Sequence, residues 1–254
     1  MRKIVAISPP VLSKETLEID KELVKLTSKE HPKALFIPTA RNDDANYWNT
    51  FRNVYGKKLG CDTDVLYLIN QNLKEHQIRE KILSSDMIYV DGGNTLKMMR
   101  LWRRLGVDRM LENAHDQGIV LSGYGAGSIC WFKYGYSNSL KYYNPDNWKY
   151  IMVRGLGLIN AINCTHYDDK RRDSAGQTRS MSFRNMLRRR SYTEVCIAMD
   201  DNCAIEFVDD SYRVLTTKGG ANVYRITKEK GELVTAIVER KTEYTPIEAL
   251  LKGN

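Results

Sequence analysis

Short runs of β-branched and aromatic residues alternate with longer segments whose apolar positions recur at helical spacing. Lys3–Ser8 reads as a strand, and 14–30 as a helix carrying Leu17, Val24 and Leu26 among charges. Strands at 34–38, 64–69 and Met87–Val90 follow, separated by helices over 43–59 and 73–83. Thr95–Leu105 and 107–117 are helical, and 119–121 is a fully apolar strand. This alternation predicts an α/β fold in three layers, a mainly parallel sheet with helices on both faces. Near residue 197 the rhythm changes to closely spaced strands at Cys196–Met199, 204–208, 213–217, 223–227 and 233–238. Glu229-Lys230-Gly231 reads as a hairpin turn between the last two. An antiparallel β-rich C-terminal extension is therefore expected. No repeat or low-complexity linker interrupts the chain, so residues 1–254 read as one domain.

Composition narrows the class. With 254 residues, 42% of them hydrophobic and 28% charged, the chain is long enough to bury a core and too polar for a membrane protein. No apolar run approaches the ~20 residues of a membrane helix. The stretch Ile4-Val5-Ala6-Ile7 ends at Pro9-Pro10, too short for a secretory signal. A soluble, cytoplasmic protein is expected. The five cysteines (Cys61, Cys130, Cys164, Cys196 and Cys203) form no Cys-x-x-Cys pair, which argues against a disulfide framework and a zinc ribbon. Neither a metal nor another cofactor is expected. Net charge is +8, a weak pointer to an acidic ligand or nucleic acid. The clusters Arg100/Arg103/Arg104 and Arg188-Arg189-Arg190 fall in helical patterns and read first as solvated faces, since no nucleic-acid-binding motif accompanies them.

Ligands of such sheets gather outside the carboxyl ends of the strands. Two strand exits here are rich in glycine. Val90-Asp91-Gly92-Gly93-Asn94-Thr95 turns sharply with its N–H groups open, and Asn94 or Thr95 can cap the next helix. Leu121-Ser122-Gly123-Tyr124-Gly125-Ala126-Gly127-Ser128 has the form of a nucleophile elbow, G-x-S-x-G, leading into a helix through Ile129, Cys130, Trp131 and Phe132. Glycine occupies the central position. Of the four histidines, His31, His76 and His115 fall in charged helical surroundings and read as exposed. His166 alone follows a strand-like run, in Asn163-Cys164-Thr165-His166-Tyr167-Asp168, where a general base would reach the same sheet edge. An acid to orient it could come from Asp200 or Asp201 after Cys196–Met199.

In order and spacing, four marks together resemble the dipeptidase E (alpha-aspartyl dipeptidase) and cyanophycinase family of serine peptidases. They are Asp91-Gly92-Gly93-Asn94-Thr95, the elbow from Gly123 to Ser128 with the residues after it, Thr165-His166-Tyr167-Asp168, and Gly176-Gln177-Thr178-Arg179. The resemblance runs from Ile4 to about Val223 and implies a class I glutamine amidotransferase-like fold. It places the family's serine nucleophile on Gly125, its histidine on His166 and its acid on Asp201. Oxyanion donors fall on the backbone N–H groups of Gly92 or Gly93 and Ala126. Arg179 matches an arginine that holds the acidic side chain of the substrate, a role suited to a guanidinium, with Asn138 and Asn94 as further substrate-binding positions. The chain departs from the pattern twice, with Gly125 for serine and with Asn138 where relatives imply aspartate.

The favoured reading is a serine-peptidase homologue of the aspartyl dipeptidase type, inactive or impaired as written, that keeps a pocket for a small acidic peptide. A second is an active serine-type dipeptidase, either seen as a nucleophile variant whose glycine was introduced to disarm it or using a substitute nucleophile. Ser128 would stand ~4.5 Å along the helix axis from the elbow, Cys130 reads as core, and Cys164 points to the opposite face from His166. A third is a basic module that binds nucleic acid.

Overall fold

The alternating segments assemble two sheets, not one. The protein is described by a computed structural model covering residues 1–8, 12–13, 16–189 and 192–252. Pro9-Pro10, the start of the 14–30 segment and Arg190 lie outside the described residues. Along the chain come β1 (Lys3–Ser8), α1 (Leu17–Leu26), β2 (Lys33–Ile37), α2 (Ala45–Phe51) with a π-helical continuation over Arg52–Lys58, β3 (Asp62–Val65) and α3 (Glu75–Leu83). Then follow β4 (Met87–Val90), α4 (Thr95–Leu105), α5 (Val107–Asp116), β5 (Val120–Tyr124) and the four-residue α6 (Ala126–Ile129). Next are β6 (Phe132–Ser137), β7 (Ile151–Arg154), β8 (Ile159–Cys164), α7 (Arg179–Arg189), β9 (Cys196–Met199) and β10 (Cys203–Val208). The chain closes with β11 (Ser211–Thr216), β12 (Val223–Glu229), β13 (Glu232–Ile237), β14 (Thr245–Pro246) and α8 (Glu248–Leu251).

The first sheet has the order β14-β11-β10-β1-β5-β4-β2-β3, parallel from β1 to β3 and antiparallel on the other side. The second has the order β13-β12-β9-β8-β6-β7, in which only β6, β8 and β9 run parallel. The α/β class with helices flanking the sheets is as expected. The C-terminal strands, however, are no appendage. Strand β10 pairs with β1 across some two hundred residues of chain, Lys3 opposite Val208, while β9, β12 and β13 complete the second sheet. The Lys230-Gly231 turn between β12 and β13 has positive φ at both residues (49° and 91°), the conformation that suits a two-residue hairpin.

Each helix shows why its sequence folds there. In α4 the Asn94 side chain accepts the Lys97 N–H (3.0 Å), and Gly106 ends the helix in the left-handed region at φ 71°. Met98, Met99, Leu101 and Trp102 are buried on its inner face, while Arg100, Arg103 and Arg104 stay exposed. One apolar core lies between α3, α4 and α5 and the first sheet, and it takes in Ile159, Ala161, Ile197 and Val223 of the second. On the opposite face Phe36, Phe51, Tyr55 and Tyr89 pack ring against ring beneath α1 and α2. Two expectations are corrected. The helix foreseen through Phe132 stops at Ile129, because the aromatic run Phe132, Tyr134, Tyr136 takes up strand pairing. His115 is buried (8% exposed), and burial lowers its pKa.

A buried acid in the second core gives a stability prediction. Asp20 accepts the Tyr55 hydroxyl (2.7 Å), and burial lifts its carboxyl to about 7. An unfolded aspartate titrates near ~3.9. Between those values the native chain holds a proton that the unfolded chain has released, so stability falls as pH rises from about 4 to 7. Asp20→Asn is expected to be nearly neutral at pH 4 and to stabilise the protein at pH 8 by up to about 4 kcal/mol, three units at ~1.36 kcal/mol each. Urea unfolding at the two pH values checks this; equal shifts at both would contradict it.

Candidate active site

The carboxyl ends of β4, β5, β6 and β8 line one cleft, a cavity of about 220 Å³, and those of β1 and β9 adjoin it through Ser8 and Asp201 beside His166. The turn after β5 forms its centre. Gly125 sits at φ 55°, ψ −109°, a region that residues with a Cβ enter only under strain. Its neighbours must also be small: a Cβ on Gly127 would stand 2.1 Å from Val90 O, and one on Gly123 2.5 Å from the same oxygen. The backbone thus turns hard against β4 and runs directly into α6. This is the geometry of a nucleophile elbow. A Cβ on Gly125, by contrast, would meet nothing closer than Gly92 Cα at 3.7 Å and His166 Nε2 at 3.8 Å. A side chain there has room and points at the imidazole.

His166 leaves β8 in the left-handed region, at φ 54°. Its backbone N–H donates to Ser8 Oγ (2.9 Å), which ties the second sheet's loop to the end of β1. The ring Nδ1 lies 2.8 Å from Asp201 Oδ1, within ion-pair distance but with the N–H not aligned for a hydrogen bond. Asp201 is held in turn by its own N–H, which donates to Asp168 Oδ1 (2.9 Å). Asp200 faces elsewhere. Its Oδ2 accepts Asn222 N–H (3.0 Å) and the Tyr224 hydroxyl (3.1 Å), fixing β9 to β12.

The Gly92 N–H is turned into Asp91 Oδ1 (2.8 Å), so of the two glycines Gly93 keeps the open amide. Ala126, the first residue of α6, presents an N–H without an intrahelical partner. Three arginines border the cleft. Arg41 donates through Nε to buried Asp91 (3.1 Å) and through Nη2 to Tyr124 OH (2.7 Å), and it lies 3.8 Å above the Tyr47 ring. Burial raises the Asp91 carboxyl, with Arg41 pulling the other way. Arg171 is paired with Asp169 (2.9 Å); burial pushes the Asp169 carboxyl up, but the Arg171 hydrogen bonds outweigh it and hold the carboxyl low. Arg179 differs from both. It is 3% exposed, donates to Thr165 O (2.9 Å), lies 5.0 Å from the Tyr150 ring centre, and makes no ion pair among the described residues.

The structure thus brings together Gly125, His166, Asp201, Gly93, Ala126, Arg179 and Asn138. Asn94 is different, its side chain being engaged in capping α4 and standing outside the cleft lining. Sequence reading gives Ser8 and Arg41 no role, because each meets the site from a strand or turn far away in the chain; Asp168 stands in the Thr165-His166-Tyr167-Asp168 motif, but its partner Asp201 N–H lies 33 positions on. Ser128 Oγ is buried and turned to Asn163 Oδ1 (3.4 Å). The Cys130 and Cys164 thiols are fully buried, and burial raises both, Cys164 to about 12. Among the described residues no group of three His, Cys, Asp or Glu side chains is placed to hold a metal, and no helix is long and apolar enough to cross a membrane.

Comparisons with known proteins bear on the family and the fold. Residues 4–215 match the model of peptidase family S51. The chain is 29% identical over 240 residues to the uncharacterized peptidase YgaJ of Bacillus subtilis, covering 92% of this chain and 95% of that one. It is also 29% identical over 137 residues to an uncharacterized peptidase of Listeria monocytogenes, covering 52% and 58% of the two chains. Among solved structures, a peptidase from an acI-B1 Actinobacterium superposes with a TM-score of 0.70 at 17% identity, covering 97% of each chain.

Proposed function

The chain belongs to peptidase family S51, and from that footing we propose that it is a homologue whose serine chemistry is absent, with a cleft that binds small acidic peptides of the Asp-X type without cleaving them. The observation that carries the ligand is Arg179, a guanidinium 3% exposed with no anionic partner among the described residues. A buried charge is costly unless paired. A carboxylate matches the planar fork of a guanidinium with two parallel hydrogen bonds, and an aspartyl side chain brings one.

The loss of chemistry rests on Gly125. His166 and Asp201 keep the order of base and orienting acid, and Gly93 and Ala126 can offer amides to an oxyanion. The atom that the base would deprotonate is missing. The substitutes that the sequence suggests do not replace it: Ser128 Oγ is turned to Asn163, and the Cys130 and Cys164 thiols, held protonated by burial, are poor nucleophiles. The five cysteines are buried and unpaired, which supports a reducing, cytoplasmic setting.

Calorimetry with an Asp-X dipeptide, followed by chromatography of the recovered ligand, tests both halves. Binding with the dipeptide recovered intact is expected, and a trace rate of the size left by an oxyanion hole alone, ~10³–10⁴ over water, is compatible. Turnover near ~10 s⁻¹, the median for enzymes, would overturn the loss of chemistry. Absence of binding would overturn the ligand class.

A further inference from the structure

A second groove runs beside the cleft along the exposed face of α4. Lys97, Arg100 and Arg104 stand at i, i+3 and i+7 and so share one side of the helix. Leu68, Ile69 and Leu101 form its floor, with Ile69 37% exposed. Two contiguous cavities, of about 340 and 370 Å³, share Leu68, Ile69, Leu101 and Arg104. Neither is lined by an acidic side chain among the described residues. Lys97 Nζ donates to Asn42 Oδ1 (2.6 Å), while Arg100 and Arg104 are exposed and make no ion pair among the described residues.

Neighbouring residues line the groove and the cleft. Thr95, the first residue of α4, lines the cleft. Tyr142 faces the cleft and the adjacent Tyr143 faces the groove. From Thr95 to Arg104 the helix rises about 13 Å at ~1.5 Å per residue. An extended peptide covers that in about four residues at ~3.3–3.6 Å each.

We propose that this groove is an exosite for the acidic continuation of a longer peptide whose Asp-X end occupies the cleft; it rests on the acidic-peptide reading of that cleft. The floor of Leu68, Ile69 and Leu101 favours apolar side chains alternating with carboxylates; Tyr143 is the one ring in the lining, whereas single-stranded nucleic-acid sites stack successive bases on several rings. Arg100 and Arg104 supply the complementary charge on one wall, the Lys97 charge being partly offset by Asp43, which accepts the Ile69 and Asn70 N–H groups.

The test compares the dipeptide Asp-Leu with the hexapeptide Asp-Leu-Glu-Leu-Glu-Leu by calorimetry, on the natural chain and on Arg100→Glu/Arg104→Glu. The hexapeptide is expected to bind the natural chain about tenfold more tightly than the dipeptide. The double variant loses that advantage and keeps the dipeptide affinity. Arg100→Ala/Arg104→Ala, which removes the charges without reversing them, serves if the first variant does not fold. A hexapeptide no tighter than the dipeptide, or an advantage that survives both variants, overturns the exosite while the cleft reading stands. Binding of neither peptide overturns the cleft reading and the exosite with it. A salt-sensitive oligonucleotide complex abolished by the variants, without a hexapeptide advantage, reassigns the groove to nucleic acid and overturns the proposal.

Discussion

Gly125→Ser is expected to give the chain Asp-X hydrolase activity at least ~10³-fold above its natural level, since removal of a triad nucleophile costs ~10⁶ in a well-studied serine protease. The elbow already places a Cβ at 125 in ordinary contact, 3.8 Å from His166 Nε2. A hydroxyl one bond further out comes within hydrogen-bond reach of that nitrogen. The same substitution should lower stability. Glycine adopts φ 55°, ψ −109° freely, whereas a residue with a Cβ pays ~1–3 kcal/mol in such regions, partly offset by its smaller loss of backbone entropy on folding. A thermal midpoint and a dipeptide hydrolysis rate are measured on each variant. Gly125→Ser with Asn138→Asp is the stronger version, because Asn138 borders the cleft and an aspartate there adds a charge to it. A rise in midpoint would contradict a strained elbow. A folded double variant without activity would mean that His166, Asp201 and the amides of Gly93 and Ala126 do not form a working site.

Arg179→Ala is expected to weaken Asp-X binding by ~1.5–3 kcal/mol, the usual worth of a hydrogen bond to a charged group and more than tenfold in affinity. Arg179 carries this effect because Arg41 and Arg171 are paired with Asp91 and Asp169, while Arg179 makes no ion pair among the described residues and rests on the Thr165 carbonyl and Tyr150, with Asp169 acting on it only at longer range. Arg179→Lys should restore little of the loss, since an ammonium lacks the planar fork. Unchanged affinity in Arg179→Ala, with the thermal midpoint showing an intact fold, would mean that the specificity residue lies elsewhere.

The elements around the cleft were readable because they are local. Strands β1, β4 and β9 and helix α4 fall where periodicity and flanking turns place them, and the glycine spacing of 123, 125 and 127 signals the elbow through its steric demand. Partner choice was not readable. Nothing in Cys203–Val208 says that it pairs with β1 rather than with β9, because alternation specifies which face is buried but not the neighbour. The same limit hid Ser8, whose contact with His166 N–H spans 158 positions. It also hid the change at Phe132, where a short apolar run suits helix and strand equally well. Asn94 was legible as a cap, and capping is the role its side chain has. His115 was misjudged because its charged sequence neighbours face solvent while the ring turns inward.

The central claim, an intact serine-hydrolase framework lacking its attacking oxygen, is tested most directly by intact-mass measurement after incubation with an organophosphorus fluoridate. Such reagents phosphonylate an activated hydroxyl and need the same base and oxyanion donors as acyl transfer. The natural chain should acquire no adduct in the cleft, whereas Gly125→Ser should acquire one, on the introduced hydroxyl, and lose it when His166→Ala is added. A stoichiometric adduct on a cleft side chain of the natural protein would contradict the account, because it would mean that another residue already serves as the nucleophile.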